Sequence, residues 1–202
     1  MTTDIFNRKQ KFFDRWAPNY DWLFTTIFYQ AVHKRLLEYV ELPEEPYVLD
    51  LGCGTGRLLH RLAKEFPTLK GIGLDLSPEM LRQARQRNQY RERIIYKQGN
   101  AESLPFAEGQ FDAVFNTISF LHYPNPQQVV LEVSRVLRPG GRFHLVDYTV
   151  RKEKDFRSVP FSPNGIRFYS PKQREKFGRE AGLTCVGHYY LLGPVMLTIW
   201  QK

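Results

Sequence analysis

VLDLGCGTG, residues Val48 to Gly56, is the stretch that decides how the chain reads. A short apolar run carrying the acid Asp50 passes into alternate glycines, Gly52, Gly54 and Gly56. Backbone approaches a ligand closely only where no side chain intervenes, so a glycine turn after a first strand marks the floor of a nucleotide-type pocket. A second acid, Asp75, stands near the end of the next apolar run, where a carboxylate suits ribose hydroxyls. The loop is G-x-G-x-G, with Arg57 where the dinucleotide fingerprint G-x-G-x-x-G has its third glycine.

Outward from this loop, short apolar runs alternate with helical periodicity, the pattern of crossover units that build a parallel sheet. The expected strands are Tyr47 to Leu51, Gly71 to Leu76, Ile94 to Gln98, Phe111 to Asn116 and Arg142 to Tyr148. Leu58, Leu59, Leu62, Ala63 and Phe66 form one helical stripe, ended by Pro67. Ser77-Pro78 and Asn125-Pro126 read as caps with proline in the first turn, and the second of these helices is expected to stop at Pro139, Gly140 and Gly141. Arg151 to Tyr169, polar and interrupted by Pro160 and Pro163, reads as a long loop. Ser170, Pro171 and Gln173 then announce a helix ending near Gly182. Leu183 to Leu191 and Val195 to Trp200 are too close together for a parallel crossover and must pair as an antiparallel hairpin. The fold expected is α/β: a three-layer, doubly wound, mostly parallel seven-stranded sheet with an antiparallel C-terminal hairpin.

At 202 residues the chain fits one domain, 1–202, with a core over 43–202. Residues 1–42 crowd Phe6, Phe12, Phe13, Trp16, Tyr20, Trp22, Phe24, Phe28 and Tyr29 ahead of the sheet, which reads as a helical lid or cap. A basic aromatic segment also allows a peripheral membrane contact. No run reaches the ~20 apolar residues of a membrane span, and Met1 to Gln10 lacks a secretory centre, so a cytoplasmic location is expected. Cys53 and Cys185 are too few and too differently placed for a disulfide framework, and no metal site is expected. The net charge of +8 favours anionic partners. Much of it lies in Arg82, Arg85, Arg87, Arg91 and Arg93, a run best read as a solvated face, and no zinc-finger or RNA-binding signature accompanies it.

Beyond the loop, LDLSPEML (Leu74 to Leu81), GNAESLPF (Gly99 to Phe106), FDAVF (Phe111 to Phe115) and LRPGG (Leu137 to Gly141) follow in order. With them the chain resembles the class I S-adenosylmethionine-dependent methyltransferases, whose fold is Rossmann-like. FDRWAPNYD, Phe13 to Asp21, is similar to a pattern in the ubiquinone and menaquinone biosynthesis C-methyltransferases. The resemblance implies S-adenosyl-L-methionine as methyl donor. It assigns Asp50, Gly52, Gly54, Thr55 and Gly56 to the methionine part, Asp75 with Leu76 to the ribose side, Asn100 and Ala101 to the adenine, and Thr117 to a further cofactor contact. Asp50 and Thr117 also suit a purely structural role at strand ends.

The reaction implied is in-line displacement at the methyl carbon, in which positioning does most of the work. A general base is needed only if the attacking atom starts protonated, and the candidates are His122, Tyr123 and Tyr20. Asp147 and Tyr148 end the fifth strand on the ligand side. Asn116-Thr117-Ile118-Ser119 lacks the asparagine-proline-proline-aromatic motif of DNA amino methylation, which leaves a small, lipophilic or aromatic acceptor, quinone-like in the resembling group. Two other readings stand beside this one: an NAD(P)-dependent oxidoreductase, and a non-catalytic cofactor-fold module at a membrane surface. No obligate protein partner is evident.

Overall fold

Side chains alternate across the strand Tyr47–Leu51 (β1), Val48 joining one apolar cluster and Leu49 and Leu51 the other. A strand buried on both faces must carry layers on both sides, and the remaining elements supply them. The computed structural model describes residues 7–11, 14, 23–150, 156–159 and 165–202. Helix α1 (Leu23–Leu37) precedes β1; α2 (Arg57–Glu65), β2 (Lys70–Asp75), α3 (Pro78–Arg87), β3 (Ile94–Gln98) and β4 (Phe111–Thr117) follow. After a 3-10 turn at Phe120–His122 come α4 (Pro126–Val136), β5 (Leu137–Tyr148), β6 (Phe156–Val159) and β7 (Ile166–Tyr169). Helix α5 (Pro171–Glu180) leads to β8 (Thr184–Leu192) and β9 (Val195–Gln201).

Seven strands form one sheet in the order β3-β2-β1-β4-β5-β9-β8. The first five are mutually parallel, whereas β9 runs antiparallel to both β5 and β8. One face packs Val129, Val130, Val133 and Val136 of α4 and Phe177 of α5. The other packs Val32 and Leu36 of α1 and the leucines of α2. The expected caps are present: Ser77 and Asn125 accept from Met80 N–H and Gln128 N–H, and Ser170 accepts from Gln173 N–H.

Two expectations are corrected. Helix α4 stops at Val136, and LRPGG is the irregular start of β5, paired with Phe111 and tied to the chain end by Gly140 N–H to Lys202 O and Lys202 N–H to Gly141 O. Proline disfavours helical geometry in the residue before it, so Pro139 pushes Arg138 into extended backbone. The segment Arg151 to Tyr169 is not a plain loop, because β6 pairs antiparallel with β7 from Phe156↔Tyr169 to Val159↔Ile166. Pro160 and Pro163 fall in sequence between the two strands, outside the described residues, so neither interrupts the pairing.

Arginine side chains fasten the layers. Arg93, half-buried, donates to Ala63 O near the end of α2 at 3.1 Å and to Leu69 O in the turn before β2 at 2.9 Å. Arg174, 1% exposed on α5, donates to Asp147 O, Tyr148 O, Met196 O and Thr198 Oγ1. Burial lowers its pKa to about 10, and the neighbouring Asp147 charge opposes that shift. Removing one member of a buried charge pair leaves the other uncompensated, so Arg174→Met is expected to destabilise the fold by about 3 kcal/mol in urea unfolding. An unchanged midpoint would show that the clamp contributes nothing.

Candidate functional site

Strand order reverses at β1, which has β2 on one side and β4 on the other. In such sheets ligands bind in the crevice beyond the carboxyl ends of the strands at this switch point. A cavity of about 390 Å³ opens there, within the ~300–1,000 Å³ usual for small-molecule sites. The ends of β1, β2, β3 and β4 contribute to it through Gly52 and Gly54, Leu74 to Leu76, Gly99 to Ala101, and Thr117 to Ser119.

The glycine loop is pinned at its root, since Gly52 and Cys53 both donate to Leu74 O, at 2.8 and 3.1 Å. The Asp75 carboxylate bridges outward, accepting Gly54 N–H on one oxygen and Ser77 N–H on the other. Burial raises its pKa, and these backbone donors oppose the rise. Asp50 lies sealed beneath the loop, 1% exposed, with neither carboxylate oxygen hydrogen-bonded. Burial, then the charge of Asp75, pushes its pKa up to about 8.

Two glycines of the loop do different work. A Cβ on Gly52 would lie 2.3 Å from Ser119 Oγ, so its missing side chain makes room for protein. Ser119 belongs to a tight cluster, in which the Asn116 side-chain amide contacts Leu51 O, Ser119 Oγ and Tyr123 Oη at 2.7 to 2.9 Å. A Cβ on Gly54 would meet nothing within 4 Å, so this glycine faces open space. Both glycines have positive φ, +68° and +52°. Ile118 is also left-handed, at φ 50°, a rare state for a β-branched residue and one that costs about 1–3 kcal/mol. It too lines the cavity.

Of the residues singled out in the sequence, Gly52, Gly54, Asp75, Leu76, Asn100, Ala101 and Thr117 line the cavity, as do His122 and Tyr123. Asp50, Thr55 and Gly56 lie behind the loop, Gly56 against the ring of Tyr96 and Thr55 with its hydroxyl buried and unbonded. Asn100 Oδ1 accepts Glu102 N–H, and Glu132 with Arg135 holds the following turn at Leu104 and Phe106. Tyr123 is half-buried and desolvation raises its hydroxyl pKa, while burial and Lys9 lower His122 to about 3. Neither is poised to take a proton near neutral pH. Tyr20 lies outside the described residues, as does FDRWAPNYD except for Asp14, whose carboxylate accepts the Ser77 hydroxyl. Asp147 is buried, accepting Leu121 N–H and Tyr148 N–H, and therefore orders the strand end.

Opposite the loop the cavity is aromatic and carries an amine. Tyr148 stacks on Phe28 at 6.2 Å and 4°, and meets Phe168 of β7 edge-on at 6.0 Å. Tyr29 and Ile166 continue that wall. Lys9, 5% exposed, donates to His122 O, and burial followed by the charge of Arg167 lowers its pKa to about 8. Lys9, Ser119 and Phe168 escape sequence reasoning. Lys9 meets its partner across 113 positions, and Phe168 belongs to strands of only four residues.

A methyltransferase-domain family model matches residues 48–141. A demethylmenaquinone methyltransferase of Lactiplantibacillus plantarum is 36% identical over 70% of this chain, and the match spans 63% of that relative's length. One of Symbiobacterium thermophilum is 33% identical over 96% of this chain and 92% of its own length. Among solved structures, a chain from the Haloferax volcanii complex of the Trm112 methyltransferase activator superimposes with a TM-score of 0.83 at 22% identity. That match covers 94% of this chain and 96% of the other. None of these is an oxidoreductase, so the NAD(P) reading that the glycine turn left open falls away.

The two loop glycines separate under substitution. Gly54→Ala is expected to cost about 1 kcal/mol in urea unfolding, from backbone strain alone. Gly52→Ala adds the collision with Ser119 and should cost at least twice as much; equal losses would remove Ser119 as the reason for that glycine.

Proposed function

The chain belongs to the class I S-adenosylmethionine-dependent methyltransferases, in the quinone-methyltransferase group, and from that premise we propose that it methylates a hydroxylated aromatic, quinone-type acceptor. The observation that carries this reading is the pairing, within one cavity, of an open glycine cradle with an aromatic wall bearing a buried amine. Bound S-adenosylmethionine supplies an electrophilic methyl carbon on a sulfonium leaving group.

The residues fit that donor. Asp50 is a buried carboxylate with no partner, and an ammonium brought over the loop would provide the missing positive charge. Gly54 leaves space for close backbone approach, and the Asp75 oxygens keep lone pairs for ribose hydroxyls. Gly52, Thr55 and Gly56 shape the methionine end, with Leu76, Asn100, Ala101 and Thr117 along the nucleoside. Within the cap assigned to 1–42, Lys9 and Tyr29 of α1 contribute to the acceptor side of the core 43–202.

The aromatic wall of Tyr148, Tyr29 and Phe168, with Phe28 stacked behind Tyr148, orients a flat ring and excludes water. A phenol is a weak carbon nucleophile and its phenolate a strong one, so the useful chemistry on this side is removal of a hydroxyl proton. Lys9, with a pKa of about 8, is the group tuned to take it, ending as an ammonium beside the phenolate. His122 and Tyr123 are shaping residues. Among the described residues no helix is long and apolar enough to cross a membrane.

Calorimetry of Asp75→Ala is expected to show S-adenosylmethionine binding weakened by about 1.5–3 kcal/mol, the scale of hydrogen bonds to a charged group. Unchanged affinity would reject the ribose role. With a quinol acceptor, kcat of the wild type should rise with pH through about 8, as the neutral amine appears. Lys9→Met should lower kcat by about 100-fold and flatten that limb while cofactor affinity stays the same. A retained inflection would assign the proton to another group.

A further inference from the structure

Away from the cavity, one group of side chains has donor chemistry that no step above uses. Cys185 and His188 lie on β8 and Glu175 on α5, and their ligating atoms all fall within 4.8 Å of one another. His188 Nε2 is 3.1 Å from Glu175 Oε1 and 3.7 Å from Cys185 Sγ. In a regular strand, residues three apart point to opposite faces. Here the pairing with β9 shifts register between Cys185 and Gly187, and this bulge turns Cys185 and His188 to the same side, toward α5.

From this geometry we propose that Glu175, Cys185 and His188 form a binding site for a zinc-class transition-metal ion. Tetrahedral zinc with Zn–S of about 2.3 Å and Zn–N and Zn–O of about 2.0–2.1 Å requires S···N near ~3.6 Å and N···O near ~3.3 Å. The two separations from His188, 3.7 and 3.1 Å, therefore need adjustments of only tenths of an ångström, and the third, from Sγ to the carboxylate, lies within 4.8 Å and closes toward ~3.6 Å on binding. The other ring nitrogen of His188 is held 3.0 Å from Thr198 Oγ1, itself fully buried, which fixes the ring as an outer-sphere partner does in metal sites. A ligating Nε2 requires the ring proton on Nδ1, where Thr198 Oγ1 accepts it. The thiolate and carboxylate together balance a divalent charge, and one sulfur with one imidazole selects zinc-like ions over magnesium or calcium. Glu175 is half exposed, which leaves water the fourth position and gives the ion a route in. The thiol loses its proton to solvent on binding, as metal ligation requires.

No finger-type spacing marks this site in the sequence, because two ligands sit on an edge strand and the third on the preceding helix. An ion here would cross-link α5 to β8. Arg174, the neighbour of Glu175, holds the carbonyls of Asp147 and Tyr148, so the cross-link lies behind the aromatic wall of the cavity.

The test is titration of the chelator-treated full chain with Co²⁺, followed by competition with Zn²⁺. The expected result is one Co²⁺ per chain, with the visible bands of tetrahedral cobalt and a thiolate charge-transfer band that Zn²⁺ abolishes. Cys185→Ser should lose the charge-transfer band, and His188→Gln should weaken Co²⁺ binding at least tenfold, each variant showing the circular dichroism of the metal-free wild type. No binding by the wild type, or a charge-transfer band that survives in Cys185→Ser, overturns the proposal. So does the absence of any rise in thermal midpoint of the wild type with excess Zn²⁺.

Discussion

Everything at the ligand end of the sheet depends on how the chain leaves β1. Two successive amides, of Gly52 and Cys53, converge on one carbonyl, Leu74 O, and that turn is tight enough to exclude a side chain at Gly52. The space it leaves is taken by Ser119, which the Asn116 amide joins to Tyr123 and to the last carbonyl of β1. The turn thus ties the ends of β1, β2 and β4 into one rigid floor. Asp75 then fixes the outer part of the loop through Gly54 N–H, and only Gly54 is left facing empty space. A floor built in this way is preorganised for a small charged ligand, because its amides and carboxylates hold their positions before anything binds.

The opposite wall has a different origin. It is assembled from the end of β5, the β6–β7 hairpin, α1 and the N-terminal residue Lys9, elements far apart in the chain. Arg174 and Asp147 give it rigidity by fixing the end of β5 from behind, at a considerable cost in desolvation on both groups. In the proposed function the two walls divide the labour: one holds the donor by backbone geometry and charge, the other selects an acceptor by flat apolar surface and a single amine.

The core was legible because parallel strands buried on both faces announce themselves as apolar runs. Tyr47–Leu51 and Ile94–Gln98 match the sequence reading to the residue. The caps at Ser77, Asn125 and Ser170 were equally plain, each carrying its own local chemistry. What failed was set by tertiary context. LRPGG has the composition of a helix stop, yet cross-strand pairing with Phe111 draws it into β5. The β6–β7 hairpin is too short for any period to emerge. On the donor side every cavity residue lay in or just beyond a recognisable motif, Met80 within LDLSPEML included, whereas Lys9 and Phe168 reach the site only through folding. The bulge that gathers Cys185 and His188 is likewise invisible in a sequence read at period two.

In the proposed reaction the cavity over Gly54 holds S-adenosylmethionine and the chain passes its methyl group to an aromatic acceptor. Mass spectrometry of a demethylated quinol incubated with the protein and methyl-labelled S-adenosylmethionine tests this most directly. The expected result is a single labelled methyl on a ring carbon, with equimolar formation of S-adenosylhomocysteine. Release of S-adenosylhomocysteine without label in the quinol, or no turnover at millimolar donor, would contradict it.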